Sequence, residues 1–173
     1  SRILAERARA DGADLIGGCP HLDDDPTGAN KVFLSLAKDL DCNLDLHVDE
    51  TLNAEMLSLR NLAKRIIAKA PTFSVTASHC VSLGMQTKKV QKQVAQLIAE
   101  ANIAVVTLPQ TNLYLQGREH QSAMPRALTA LSALREAGVT VMAGGDNLQD
   151  PFNPMGRADP LEAAALLVSA GHY

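Results

Sequence analysis

Imidazole and carboxylate side chains recur in this sequence at one kind of place. His47 and Glu50 stand in the tetrapeptide HVDE, His79 ends TASH, and Asp146 follows a glycine pair in AGGDN. Each comes directly after a short apolar run, and Gln116 lies in the polar stretch after another such run. Imidazole nitrogens together with carboxylate oxygens form the ligand and acid–base set of a hydrolytic zinc or iron site. Singly, every one of these residues has an ordinary explanation. A histidine at a strand end commonly hydrogen-bonds its surroundings, Glu50 or Asn53 can cap the following helix, and Asp146 after Gly144-Gly145 suits a turn. Their shared position is what argues for chemistry.

That position follows from the elements. Apolar runs at 13–17 (ADLIG), 43–47 (NLDLH), 72–77 (TFSVTA), 103–108 (IAVVTL) and 140–143 (TVMA) read as short parallel strands buried on both faces. Between them the apolar period becomes helical. Val32, Phe33, Leu36, Ala37 and Leu40 share a face, as do Leu59, Ala63 and Ile66, and then Val90, Val94, Leu97, Ile98 and Ala101. Leu128, Leu131 and Leu134 mark a further helix that stops at Gly138, and Asp159 followed by Pro160 starts the last one. The acidic run Asp23–Asp25 is placed to cap the helix that begins near Pro26. The first four strand centres fall roughly 30 residues apart, the size of one βα unit. A polar loop, residues 109–125, delays the fifth. The alternation means parallel α/β, either doubly wound or a (β/α)8 barrel, and in both the carboxyl ends of the strands carry the ligands. A closed barrel takes eight strands and about 250 residues, so 173 residues with five strand candidates correspond to part of one.

Composition narrows the partners. Hydrophobic residues make up 46% and charged residues 20%, and the net charge is −3 with no basic stripe, which disfavours nucleic acid. Cys19, Cys42 and Cys80 show no paired spacing, so a disulfide framework or zinc ribbon is not expected. His120, His172 and Cys42 read as surface or packing residues. No run approaches the ~18 apolar residues of a membrane span or the pattern of a signal peptide, which predicts a cytoplasmic protein with no membrane partner. The start, SRILAERARADGA, enters in the middle of a helical pattern, as if more chain preceded it.

With these residues in view, the chain resembles the cytosine deaminase branch of the metal-dependent amidohydrolase superfamily. HVDE (47–50), TASH (76–79), NLYLQGR (112–118) and GGDNLQDPFNPMG (144–156) carry the likeness in colinear order, and GGCPHLDDD fits the loop after that family's fourth barrel strand. The resemblance implies a (β/α)8 TIM barrel of amidohydrolase type, of which residues 1–173 supply about five βα units, from strand 4 to helix 8. It implies that the N-terminal barrel strands and a flanking β-sandwich lie outside this sequence. It also implies one divalent metal, zinc or iron, with His47 and Asp146 as ligands. Glu50 matches the proton shuttle and His79 the residue facing the attacking water, so that Glu50, His79 and Asp146 take the catalytic roles. Asn147 and Phe152 match substrate-contacting positions, and Gln116, from the LQGR segment, is grouped with them.

The implied reaction is hydrolytic deamination of a cytosine-like N-heterocycle by a metal-activated water, with release of ammonia. Two features depart from the pattern. Asn147 stands where the family's cytosine deaminases carry Asp, which leaves open another heterocycle such as isocytosine, a triazine, creatinine or a cyclic amide. No H-x-H occurs in the chain, although the family takes two metal ligands from such a motif, which leaves open a catalytically inert fragment. Self-association through two unpaired sheet edges is a further expectation for a partial barrel.

Overall fold

The structure is a computed structural model and describes residues 2–173. Five strands, β1 (Leu15–Gly18), β2 (Asn43–Val48), β3 (Val75–His79), β4 (Ala104–Thr107) and β5 (Val141–Ala143), pair in parallel in the order β1-β2-β3-β4-β5. This order decides between the two architectures that alternation alone left open. A doubly wound sheet reverses its strand order at a switch point, whereas a barrel wall adds each strand beside the last. The protein is an arc of barrel wall, five strands wide.

Helix α1 (Arg2–Ala10) precedes β1, and α2 (Pro26–Asp39) and α3 (Ser58–Lys69) follow β1 and β2. The single turn α4 (Val81–Gly84) and then α5 (Lys88–Glu100) follow β3. Helices α6 (Pro109–Leu115) and α7 (Leu131–Glu136) lie between β4 and β5, and α8 (Pro160–Gly171) closes the chain. Strand alternation divides the sheet residues. Leu44, Leu46 and Val48 of β2 and Val75 and Ala77 of β3 are buried in one core with Leu59, Leu62, Ala63 and Ile66 of α3 and Val94, Ala95 and Ile98 of α5. The opposite sheet face carries Asp45, His47, Thr76 and Ser78, with the Ser78 hydroxyl 3.4 Å from the Asp45 carboxylate. At the flanks of the arc, Leu15 is 46% and Met142 43% exposed.

Local chemistry explains most boundaries. Asp25 caps α2 by accepting from the Gly28 N–H, Thr87 caps α5 through the Val90 N–H, and Asp159 caps α8 through the Leu161 and Glu162 N–H groups. Four details differ from the sequence reading. The cap of α3 is neither Glu50 nor Asn53. Buried Asp49 accepts from the Ser58 and Leu59 N–H groups and from the Ser58 hydroxyl, a cap delivered from a remote loop position. The strand expected at 72–77 begins at Val75 and runs on to His79, leaving Thr72 and Phe73 outside it. Residues 109–115 are helical rather than loop, because Pro109 is pre-organised for the first helical position and the inward residues of α6 include polar Thr111 and Asn112. A polar inner face gives no apolar period to read. Leu128 lies before α7, whose first residue is Leu131.

Candidate metal centre

Strands β2 and β3 are neighbours, β5 lies beyond β4 on the same sheet, and the turns at their carboxyl ends carry the reactive side chains. Asp49, His79 and Asp146 adopt left-handed backbone conformations, with φ of 51°, 66° and 60°. Such conformations cost a non-glycine residue on the order of 1 kcal/mol or more and persist where surrounding contacts over-determine them. At His79 the turn departs from strand alternation and brings the ring to His47 of the neighbouring strand. His47 Nδ1 and His79 Nε2 are 2.8 Å apart, with ring centroids 4.8 Å apart and tilted by 41°.

Glu50 completes the group. Its Oε1 lies 3.4 Å from His79 Nδ1, and its Oε2 lies 3.6 Å from His21 Nε2. Asp146 stands slightly further away, with Oδ2 3.9 Å from His79 Nε2. All four side chains are sheltered: His79 is 1% exposed, His21 8%, Asp146 14% and Glu50 16%. Shelter shifts their proton affinities. Burial, followed by the nearby Asp146 charge, pushes the Glu50 carboxyl up to about 7. Burial also raises Asp146. The His79 ring is driven down to about 3, mainly by burial and next by His47, so it is neutral across the physiological range.

His47, Glu50 and His79 each offer a ligand atom within 4.8 Å of the others. Two imidazoles and a carboxylate, with a second carboxylate alongside, match the donor types of a catalytic zinc site, which uses three protein ligands and leaves one position open. The residues present therefore fit a divalent ion. The trio that converges most tightly includes Glu50, whereas the resemblance pairs His47 with Asp146.

The other expected site residues behave differently. Gln116, the C-cap of α6, donates from Nε2 to the main-chain oxygen of Glu50 at 3.2 Å. Asn147 uses its amide to donate to Asp150 Oδ2 at 2.7 Å, and Phe152 is 56% exposed. Neither side chain hydrogen-bonds to the His47–Glu50–His79 group. Two partners escaped the sequence reading. His21, in the turn after β1, lies with Nδ1 2.9 Å from the His47 carbonyl and so donates to it. Asn112, fully buried on α6, contacts both His79 and Glu50. The signal for His21 was its place just beyond a strand end, the same signal that singled out His47 and His79. For Asn112 it was membership of the NLYLQGR motif.

Against this geometry, the sequence profile of a protein family described as the amidohydrolase family matches residues 6–171. The chain belongs to the amidohydrolase family. Among its relatives, a pterin deaminase of Rhizobium rhizogenes is 37% identical over 150 residues, which is 86% of this chain and 34% of that protein. The solved structure of 5-methylcytosine deaminase from Klebsiella pneumoniae with 5-fluorocytosine superposes with a TM-score of 0.91 at 27% identity, over 99% of this chain and 42% of that one. N-isopropylammelide isopropylaminohydrolase from Burkholderia multivorans gives 0.79 at 32% identity, over 99% and 41%. This amidohydrolase chain thus spans well under half the length of the relatives it matches. Among its described residues no helix is long and apolar enough to cross a membrane.

Proposed function

We propose that the full-length protein carrying this amidohydrolase segment releases ammonia hydrolytically from a cytosine-like N-heterocycle, with one divalent metal, zinc or iron, as cofactor. The observation that carries the proposal is the convergence of His47, Glu50 and His79 within 4.8 Å at the carboxyl ends of β2 and β3. His47 and Asp146 would hold the metal, which when bound supplies Lewis-acid activation of water at neutral pH. Residues upstream of this sequence, from the first barrel strands, would complete the site.

The chain's own groups supply the proton traffic. Asp146 takes a proton from the attacking water. Glu50, its carboxyl raised toward neutrality by burial, gives a proton to the ring nitrogen and recovers one from the newly added hydroxyl as the carbon–oxygen double bond forms, while the proton held by Asp146 passes to the departing amine, which leaves as ammonia. His79, neutral and almost wholly buried, turns Nε2 toward His47 and Asp146, where an N–H steadies charge developing on the attacking oxygen. Overall, water adds at the carbon bearing the amine and the carbon–nitrogen bond breaks, giving the oxo heterocycle and ammonia.

A second reading concerns the ring. Asn147 replaces the Asp of cytosine-specific relatives, and its amide is engaged with Asp150. The relative at 37% identity is called a pterin deaminase, and a pterin contains the 2-amino-4-oxopyrimidine unit of isocytosine. These observations favour isocytosine-type rings as the alternative substrates. The test is ammonia release by the metal-loaded full-length protein from cytosine, isocytosine, pterin and aminotriazines. Turnover of an aminopyrimidine or of the isocytosine unit is expected. No ammonia from any member of the panel would refute the reading.

A further inference from the structure

The turn that carries Glu50 is held through its carbonyls. The ladder between β2 and β3 closes at Val48, whose carbonyl accepts from the Cys80 N–H at 2.9 Å. The carbonyls that follow have no strand beside them, and main-chain oxygens shielded from water must find other donors. Three in succession do so. Asp49 accepts from the Ser82 N–H at 3.2 Å, Glu50 from Gln116 Nε2 at 3.2 Å, and Thr51 from the Ser82 hydroxyl at 2.9 Å. Ser82 is fully buried on α4, and Gln116 is the C-cap of α6. The Asp49 carboxylate fixes the same turn to the start of α3 through the Ser58 and Leu59 N–H groups.

From this frame the Glu50 carboxylate reaches to 3.4 Å from His79 Nδ1 and 3.6 Å from His21 Nε2. With the main chain held, only side-chain torsions can move it. We propose that Gln116 and Ser82 are positioning residues, which grip the Glu50 turn from two other βα units so that its carboxylate stands where a proton passes to the heterocycle. Gln116 then acts through Glu50 rather than by touching the substrate, the part that the family resemblance implies for it. The interaction is specific in chemistry as well as in place. A carbonyl oxygen can be met only by the nitrogen of the Gln116 amide, so a donor is required and not merely a side chain of that size. Misplacing a reacting group by about 1 Å can cost about 10²-fold in rate, while substrate binding through other groups is left in place.

The kinetic part of this inference rests on the proposed deaminase reading, whereas the placement of Glu50 does not. In the full-length, metal-loaded protein, Gln116→Met keeps an unbranched side chain of similar length and removes the donor. It should lower kcat for ammonia release by about 10- to 10²-fold, with KM and metal content little changed. Ser82→Ala should act in the same direction but less, because Asp49 keeps the Ser82 N–H. In a Glu50→Gln background, Gln116→Met should add little, since a residue that acts only through Glu50 loses its effect there, whereas a merely structural role would subtract equally from both backgrounds. An unchanged kcat, with or without a raised KM, overturns the proposal, and so does an equal loss in both backgrounds. Crystal structures of native and Gln116→Met full-length protein give a reading independent of turnover, in which the Glu50 carboxylate should leave its 3.4 Å approach to His79. An unmoved Glu50 overturns the proposal. A displaced Glu50 in a protein that releases ammonia from no heterocycle would sustain the positioning role and count against the deaminase reading. If Gln116→Met does not fold, Ser82→Ala carries the same measurements.

Discussion

Two regions of the strand-end rim carry equally recognisable sequence motifs and are built in opposite ways. In the corner formed by β2, β3 and α6, the hydrogen bonds among the reactive side chains cross between elements distant in sequence: His47 to His79, His79 to Asn112, Gln116 to Glu50. The 144–156 loop after β5 instead bonds mostly to itself. Asp150 accepts from the Phe152 and Asn153 N–H groups and from the Asn147 amide, and Asn153 Nδ2 returns to the Asn147 carbonyl. Gly156 closes the loop where a Cβ would lie 2.3 Å from that same carbonyl. The corner depends on the barrel wall for its shape more than the loop does, which Thr111 of α6 ties down at the Asn147 N–H and the Gly145 carbonyl. The loop's internal bonds hold most of its shape and leave Phe152 exposed at 56%.

The contrast breaks most readily at Glu50. Glu50→Gln in the full-length protein should lower ammonia release by about 10²- to 10⁴-fold, the range of general acid–base catalysis, with metal content unchanged by elemental analysis. A near-native rate would remove Glu50 from the proton path. Beneath the corner, Leu46 is fully buried between the strands and α3. Leu46→Ala should cost about 2–5 kcal/mol in denaturant unfolding.

The third test is pH. In metal-free protein the folded Glu50 carboxyl titrates at about 7, above its ordinary 4.5. The folded state therefore binds this proton more tightly than the unfolded chain, and Glu50 withdraws stability as pH rises from about 4.5 to about 7. Glu50→Gln should accordingly gain on the native protein through that window, by on the order of 2 kcal/mol, and then level off. A gap between the two unfolding midpoints that stays constant with pH would contradict the burial argument. The smallest effect belongs to the loop. Phe152→Ala should change stability by no more than about 0.5 kcal/mol and act on KM for the heterocycle rather than on metal binding. Loss of metal from this variant would erase the distinction between the two regions.

Legibility in the sequence followed the same division. Strands and most helices were readable because Leu44 and Leu46 alternate along a strand and Leu59, Ala63 and Ile66 repeat at a helical period, and His47, His79 and Asp146 were readable because each ends or follows such a run. Helix α6 was not, since its inward residues Thr111 and Asn112 are polar and leave no apolar period. Asp49 as the cap of α3 was hidden because nine residues separate it from Ser58. The partnership of Asn112 with Glu50, 62 residues apart, depends on the closeness of β2, β3 and β4. Strand–helix alternation alone did not give the barrel order, which the family resemblance implied and the strand pairing shows.

The account stands most directly on the metal content of the full-length protein measured together with its ammonia release. It predicts about one zinc or iron per chain, loss of deamination on chelation, and recovery on re-addition, with His47→Ala losing both metal and turnover. Full deamination by a metal-stripped protein, or unchanged metal content in His47→Ala, would contradict it.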